Sequence, residues 1–96
     1  MDIKMTRNMR LAFRALKKIG APVFANEDNI HGKNFQISAE QNVDRVWADY
    51  YWYDRARDLG DNQFPGFNKQ ICDVLERYGL YPEWHTAGNA HVHEIW

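Results

Sequence analysis

Apolar residues recur every three or four positions near the start of the chain. The repeating residues are Met5, Met9, Ala12, Phe13, Leu16 and Ile19. This spacing is typical of an amphipathic α-helix with one buried face, and it predicts a helix from about Thr6 to Ile19. Thr6 or Asp2 can cap the start of this helix, and Gly20 with Pro22 ends it.

A second helix of the same kind is predicted later in the chain. Its apolar stripe consists of Ile71, Val74, Leu75 and Tyr78. Asn68 is a suitable cap for its start, and Gly79 ends it as Gly20 ends the first helix. The chain therefore contains two helices whose ends are both marked.

The stretch after the first helix predicts a β-hairpin. Pro22 to Asn26 and Asn34 to Glu40 are its strands, and the residues between them supply turn chemistry. In the second of these strands, Phe35 and Ile37 alternate with polar residues. This alternation indicates one buried face and one face in contact with water.

The stretch after the second helix predicts another hairpin. Leu80 to Thr86 and His91 to Trp96 are its strands, and Ala87 to Ala90 form its turn. A helix followed by a hairpin thus occurs twice. A weak αββ-αββ pseudo-repeat is one interpretation, and coincidental reuse of helix-ending residues is the other.

The segment Val43 to Asp54 fits two patterns. Strand alternation is matched by Val46, Ala48, Tyr50 and Trp52, and helical spacing by Val43, Val46, Trp47, Tyr50 and Tyr51. Because aromatic and β-branched residues favour strands, we prefer a strand that begins near Trp47. Arg55 to Gly66 is rich in Gly, Asp and Asn and predicts a surface loop.

These elements predict an α+β fold in a single domain, residues 1–96. The economical arrangement is a two-layer sandwich, in which two helices pack on one face of a four- or five-stranded antiparallel sheet. The opposite face of the sheet is then left for solvent or for a partner.

Composition limits the location and the partners. Lys and Arg number 12 and Asp and Glu 13, so overall charge demands neither nucleic acid nor an acidic partner. A lone Cys72 favours a reducing compartment. The chain lacks an apolar run of about 20 residues, which a membrane helix needs, and it starts with polar residues, unlike a signal peptide. We therefore expect a cytoplasmic protein without a membrane partner.

The central aromatic cluster predicts a protein-binding surface. Tyr, Trp and Arg are enriched in the energetic centres of protein interfaces, and this segment has all three. The predicted contact residues are Trp47, Tyr50, Trp52, Tyr53, Arg55 and Arg57. A homodimer formed through exposed apolar surface is an alternative to a different partner.

A nucleic-acid-binding protein is the first alternative function. The polar side of the first predicted helix carries Arg7, Arg10, Arg14, Lys17 and Lys18. Such a stripe can neutralise phosphates. The aspartates of the central segment argue against stacking of bases there, because they repel a phosphate backbone.

A metal-binding protein or metal-dependent enzyme is the second alternative, with His85, His91 and His93 as ligands. A two-residue Gly88-Asn89 loop places His85 on the other face of the hairpin from His93, whereas a three-residue loop beginning at Ala87 places all three on one face. Because two-residue loops are commoner, a polar sheet face is favoured over a zinc site.

Other chemistries have little support in the sequence. The chain has no Gly-x-Ser-x-Gly motif and no glycine-rich phosphate loop. Cys72 has no histidine near it in sequence to activate it. We therefore predict no enzymatic activity and no cofactor.

The C-terminal quarter resembles small phage or prophage accessory proteins. The resemblance covers Tyr78-Gly79-Leu80-Tyr81-Pro82-Glu83-Trp84, then Gly88 and the strand around Val92. It contains no catalytic motif. Many such proteins bind and block a host protein, including defence systems, so the resemblance implies a viral inhibitor that acts in the host cytoplasm.

Overall fold

The computed structural model describes residues 6–25, 34–42, 45–55 and 57–95. Within these ranges the protein is a small α+β protein with three helices and one four-stranded antiparallel sheet. The helices are α1 (Arg7–Lys18), α2 (Trp52–Arg55) and α3 (Lys69–Arg77). The strands are β1 (Val23–Ala25), β2 (Phe35–Ser38), β3 (Leu80–Thr86) and β4 (Asn89–Glu94). None of the described helices is long and apolar enough to cross a membrane.

Both long helices begin and end where the sequence predicts. The hydroxyl of Thr6 accepts a hydrogen bond from the Met9 amide at 3.3 Å, and the Asn68 side chain accepts one from the Gln70 amide at 2.9 Å. These caps satisfy amides that have no partner inside the helix. Gly20 and Gly79 follow the helices with positive φ angles of 86° and 69°, a conformation that side chains disfavour. Asp2 and Met5 lie outside the described residues.

The sheet joins the two hairpins through their second strands. Its strand order is β1-β2-β4-β3, and every neighbouring pair is antiparallel. Ile37 on β2 lies opposite Ala90 on β4. Residues 26–33, which connect β1 to β2, and Trp96, the predicted end of the last strand, lie outside the described residues.

The buried residues of helices and strands form one cluster. Phe35 and Ile37 are fully buried, as their alternation predicts, and Leu80, Ala90 and Val92 join them from β3 and β4. The helices contribute Met9, Ala12, Leu16, Ile71, Cys72, Val74 and Leu75. Helix α3 contacts both α1 and β3, and α1 contacts β1. Hydrophobic burial along this surface is the main term that stabilises the fold.

The opposite side of the strands carries exposed or half-buried residues, which we call the polar sheet face. It consists of Phe24, Gln36, Tyr81, Glu83, His85, Asn89, His91 and His93. Alternation along the strands places these side chains together. The sheet therefore separates a buried surface from one that mixes aromatic rings, imidazoles and amides.

The prediction of a strand that begins near Trp47 is wrong. Ala48 forms an isolated bridge with Phe67, and the chain then enters the short helix α2. The side chain of Asn42 explains this outcome, because it bonds to the backbone as a neighbouring strand would. Its Oδ1 accepts from the amides of Trp47 and Ala48 at 2.8 and 3.4 Å, and its Nδ2 donates to the carbonyls of Ala39 and Ala48 at 3.1 Å each. Residues 43 and 44 lie outside the described residues.

The predicted loop of residues 55–66 is only partly a surface loop. It contains a 3₁₀ turn at Arg57–Leu59, and Leu59 and Gly66 are buried. The Gly66 amide donates to the Leu59 carbonyl at 3.0 Å, and the Asn62 side chain donates to the Phe67 carbonyl at 2.6 Å. These contacts close the segment on itself between α2 and α3.

Candidate binding surfaces

Trp47 is a core residue, so the prediction that its side chain contacts a partner is wrong. Its side chain is 3% exposed, and the guanidinium of Arg45 lies 4.9 Å from the centre of its ring. Its carbonyl accepts a hydrogen bond from the Asn68 amide at 2.8 Å. Trp47 therefore attaches the central segment to the start of α3, and a partner cannot reach it.

Trp52 anchors α2 to the residues that follow it. Its ring lies so close to Gly60 that a Cβ there would collide with it, and a Cβ on Gly66 would lie 3.1 Å from its Cδ1. Gly60 is needed because the ring packs directly on its backbone, and Gly66 is favoured because its φ angle is 94°. Trp52 is half-buried, so its main contacts are within the protein.

Three neighbouring tyrosines are exposed. Tyr50, Tyr51 and Tyr53 are 42%, 41% and 56% exposed, and α2 contains no buried residue. The Tyr50 ring packs edge-to-face against Tyr51 at 5.1 Å and against Trp84 at 5.4 Å. Because Trp84 stacks on the buried Phe67 at 4.7 Å, Tyr50 and Tyr51 are attached to the body of the protein, and Tyr53 packs on Trp52 at 5.9 Å.

Two exposed arginines accompany these tyrosines. Arg55 donates from Nη2 to Asp49 Oδ1 at 3.0 Å, and its guanidinium lies 5.0 Å from the centre of the Tyr51 ring. The Tyr51 amide donates to the same Asp49 oxygen at 2.9 Å. Arg57 is exposed in the following 3₁₀ turn. We call Tyr50, Tyr51, Tyr53, Arg55 and Arg57 the tyrosine-arginine segment.

The sequence prediction omitted Tyr51 from this segment and did not identify the supporting residues. Tyr51 was visible as part of the run Tyr50-Tyr51-Trp52-Tyr53. The roles of Asp49, Gly60 and Gly66 depend on chain folding between α2 and α3. No local pattern reports that folding.

Helix α1 presents the predicted basic stripe. Its members, Arg7, Arg10, Arg14, Lys17 and Lys18, are all exposed. Within the described ranges, none of them forms an ion pair. The ammonium of Lys17 lies 5.6 Å from the Phe13 ring, which accommodates the charge without neutralising it. The stripe is therefore available to an anionic partner.

The three C-terminal histidines share the polar sheet face, so the favoured two-residue Gly88-Asn89 loop is wrong. The turn lies one residue earlier, because Thr86 pairs with Asn89, and Thr86 Oγ1 accepts from the Gly88 amide at 3.1 Å. A register shift between Trp84 and Thr86 leaves His85 as the extra residue of a bulge. The three-residue loop is also wrong, because the turn consists of Ala87 and Gly88 and His91 faces Glu83 instead of His85. Only the consequence of that alternative, three histidines on one face, agrees with the structure.

The histidine rings form a row with unequal spacing. The rings of His85 and His91 are 4.6 Å apart, and those of His91 and His93 are stacked at 6.3 Å. His93 also lies 5.5 Å from the Tyr81 ring and has Glu83 Oε1 at 3.7 Å from its Nε2. Across the described part of the chain, no group of three or more His, Cys, Asp or Glu side chains is arranged to hold a metal ion.

Cys72 has the properties of a packing residue. It is fully buried, and its Sγ donates to the carbonyls of Phe64 and Phe67 at 3.7 and 3.6 Å. Burial raises the pKa of the Cys72 thiol, which disfavours the reactive thiolate. The site offers no activated nucleophile at this position.

Comparison of the chain with known protein families, curated proteins and solved structures finds no match.

Proposed function

We propose that this protein is a non-enzymatic protein-binding module that contacts its partner through the tyrosine-arginine segment. The observation that carries the proposal is the exposure of three tyrosines that are close in sequence, Tyr50, Tyr51 and Tyr53. They lie on or next to α2, a helix with no buried residue. Large aromatic side chains dominate interface energetics when a partner covers them. In the free protein, much of this aromatic surface faces water.

The segment is also partly ordered before binding. Arg55 is held by Asp49 and by the Tyr51 ring, and Tyr50 is held by Trp84. Association loses conformational freedom in side chains, so contacts that fix them beforehand reduce that cost. A tyrosine also loses little rotamer freedom for the contact area that it supplies.

The charge around the segment favours protein over nucleic acid as the partner. Asp54, Asp58 and Asp61 are exposed near the tyrosines, and their carboxylates repel phosphates. Arg57 has no ion-pair partner within the described residues. A mixed surface of tyrosine, arginine and aspartate suits a protein surface of complementary charge.

The proposal extends to the biological setting that the C-terminal resemblance implies. A phage-encoded inhibitor acts in the host cytoplasm by occupying a surface of a host protein, such as a component of a defence system. A small chain with one exposed aromatic-basic segment suits such a role because inhibition by occlusion needs a contact surface and no catalytic group.

Two finer features of the fold belong to the same proposal. A two-layer packing of α1 and α3 against the sheet is supported by the contacts of α3 with β3 and of α1 with β1. An αββ-αββ duplication is supported by the element order, with α2 and the 3₁₀ turn inserted between the halves. The tyrosine-arginine segment would then lie in an insertion between two repeats.

The test is a double substitution, Tyr53→Ala with Arg57→Ala, in the tagged full-length chain. Tyr53 packs edge-to-face against Trp52 at 5.9 Å but is mostly exposed, and Arg57 is exposed. We therefore expect the variant to keep its circular dichroism spectrum and unfolding midpoint. A partner should first be captured from nuclease-treated lysate, identified, purified and measured for affinity. We expect at least about a 30-fold loss of affinity, because truncating an interface hot spot costs about 2 kcal/mol or more.

The matched control is Arg7→Ala with Arg10→Ala on α1, which also removes exposed basic side chains. The control should bind the purified partner with unchanged affinity. Equal binding by the control and by the Tyr53/Arg57 variant would contradict the proposed contact surface. Loss of binding in the control alone would show that the interface lies on α1.

Nucleic-acid binding through α1 is the second candidate, because five exposed cations on one helix lack acidic partners in the described residues. This candidate predicts that affinity for single- or double-stranded DNA or RNA falls steeply with salt. Fluorescence anisotropy at several salt concentrations measures the slope. Replacing Arg10 and Arg14 by Gln should reduce that slope by about 1 to 2.

A further inference from the structure

The bulge in β3 brings two imidazoles into contact on the polar sheet face. We propose that His85 and His91 form a two-histidine site for one divalent first-row transition-metal ion, such as Ni²⁺, Cu²⁺ or Zn²⁺. This site goes beyond the proposed protein-binding function, because it lies on a different surface from the tyrosine-arginine segment. It involves no catalytic step.

The strand register fixes the relative position of the two side chains. His91 on β4 lies between Gln36 on β2 and Glu83 on β3, and His85 is diagonal to it, two residues after Glu83. Diagonal neighbours on adjacent strands are within reach of long side chains. The hydrogen bonds of Thr86 with Asn89 and Gly88 hold the turn next to the bulge. Both histidines are therefore attached to a well-bonded hairpin.

The separation of the rings matches chelation by two adjacent ligands. A bound metal lies about 2.0–2.1 Å from the imidazole nitrogen and thus about 3.2 Å from the ring centre. Two imidazoles at adjacent corners of a square-planar or tetrahedral site therefore have ring centres about 4.5–5.2 Å apart. The observed separation of His85 and His91 is 4.6 Å.

His93 lies outside this site. Its ring is nearly parallel to that of His91, with an interplanar angle of 16° and ring centres 6.3 Å apart, which is beyond the range of about 4.5–5.2 Å for two ligands of one ion. Its Nδ1 is 3.5 Å from the Asn34 side-chain nitrogen and its Nε2 is 3.7 Å from Glu83 Oε1. Both nitrogens of His93 thus have protein neighbours, and His93 is not included in the two-ligand set.

The ligand chemistry selects the class of metal. Imidazole suits Ni²⁺, Cu²⁺ and Zn²⁺, whereas Mg²⁺ and Ca²⁺ prefer oxygen ligands. With two protein ligands the remaining positions are open to water or to a group from outside the protein.

The test uses the full chain with any affinity tag removed, titrated with Ni²⁺ by isothermal titration calorimetry at pH 7.5. We expect the wild type to bind one Ni²⁺ ion saturably, and His93→Asn to bind it with the same affinity. The affinity should fall at least tenfold in His85→Asn and in His91→Asn. Circular dichroism should show that His85→Asn is folded, because the His85 side chain is exposed. Mg²⁺ serves as the matched control ion and should give no saturable heat.

Electron paramagnetic resonance of the Cu²⁺ complex provides a second readout at the ligands themselves. The expected spectrum shows coupling to nitrogen in the wild type, with one imidazole fewer in His85→Asn. Equal Ni²⁺ affinity in the wild type and His85→Asn would overturn the proposal, as would absence of saturable binding. A loss confined to His93→Asn would also overturn it, since that result would assign the ion to a different residue.

Discussion

At the scale of single residues, Trp47 and Trp52 show that aromatic side chains five positions apart can have different roles. Trp47 is buried beneath Arg45, whereas Trp52 packs on two glycines and leaves part of its ring exposed. Composition predicted an aromatic surface, but it did not distinguish the anchors from the exposed tyrosines. That distinction depends on which backbone is near each ring.

The contact between Trp52 and Gly60 makes a testable prediction. Gly60→Ala should destabilise the protein by about 1–3 kcal/mol, because the added methyl group overpacks the site. Urea unfolding measures the loss as a lower midpoint. In a Trp52→Ala background the same substitution should cost much less, since the two residues are coupled. An equal cost in both backgrounds would show that the ring of Trp52 is not the cause.

Cys72 makes a prediction about alkaline pH. Because burial raises the pKa of its thiol in the folded state, the folded chain holds this proton more tightly than the unfolded chain. The resulting stability is fully present below the ordinary thiol pKa of about 8.5 and is lost as pH rises through the folded value. Urea unfolding between pH 7.5 and 10 should show this decline.

Cys72→Ala supplies the comparison for that experiment. The variant should be less stable at neutral pH because a buried side chain is shortened, but it should lack the thiol's share of the alkaline decline. That share has a slope of at most about 1.4 kcal/mol per pH unit. An identical alkaline slope in both proteins would show that the Cys72 proton does not contribute.

At the scale of elements, both long helices and both hairpins were predictable because their signals are local. Thr6 and Asn68 cap the helices, and Gly20 and Gly79 follow them. The central segment was not predictable in the same way. Its aromatic residues favour a strand, but the side chain of Asn42 occupies the amides and a carbonyl that a strand would pair. Side chain to backbone bonding of this kind competes with secondary structure.

Asn42 therefore makes a prediction at this scale. Asn42→Ala should lower the free energy of unfolding by about 1–3 kcal/mol, because it leaves the amide of the buried Trp47 without its acceptor. Tryptophan fluorescence during urea unfolding reports both stability and the environment of Trp47. The neighbouring exposed residue gives a matched control, Gln41→Ala, which should change stability by less than about 0.5 kcal/mol. Equal effects would contradict the role assigned to Asn42.

The turn of the second hairpin illustrates the limit of prediction from loop length. The sequence predicts a turn within Ala87 to Ala90, and the turn lies there, but it consists of Ala87 and Gly88 instead of Gly88 and Asn89. This shift of one residue and the bulge at His85 change which side chains are opposite. Register depends on how the buried residues Ala90 and Val92 align with the core, and one residue of slip reverses the faces. The arrangement of the three histidines therefore cannot be predicted from the frequencies of hairpin loop lengths.

At the scale of the whole molecule, three surfaces of different chemistry are spread over a small protein. The tyrosine-arginine segment follows the bridge between Ala48 and Phe67, the basic stripe lies on α1, and the polar sheet face carries the histidines. The α+β class was predictable from the periodicities. The strand order β1-β2-β4-β3 was not, because pairing of β2 with β4 is a long-range contact.

The irregularity of β3 has a consequence for association. This strand is at one end of the sheet and contains Pro82, which has no amide hydrogen, followed by the bulge at His85. An exposed edge strand has unpaired backbone groups on which a strand of another chain can be added, and proline and bulges oppose this addition. At the β3 edge, addition of a fifth strand from another chain is therefore disfavoured, and a partner that binds at this edge must use side-chain contacts.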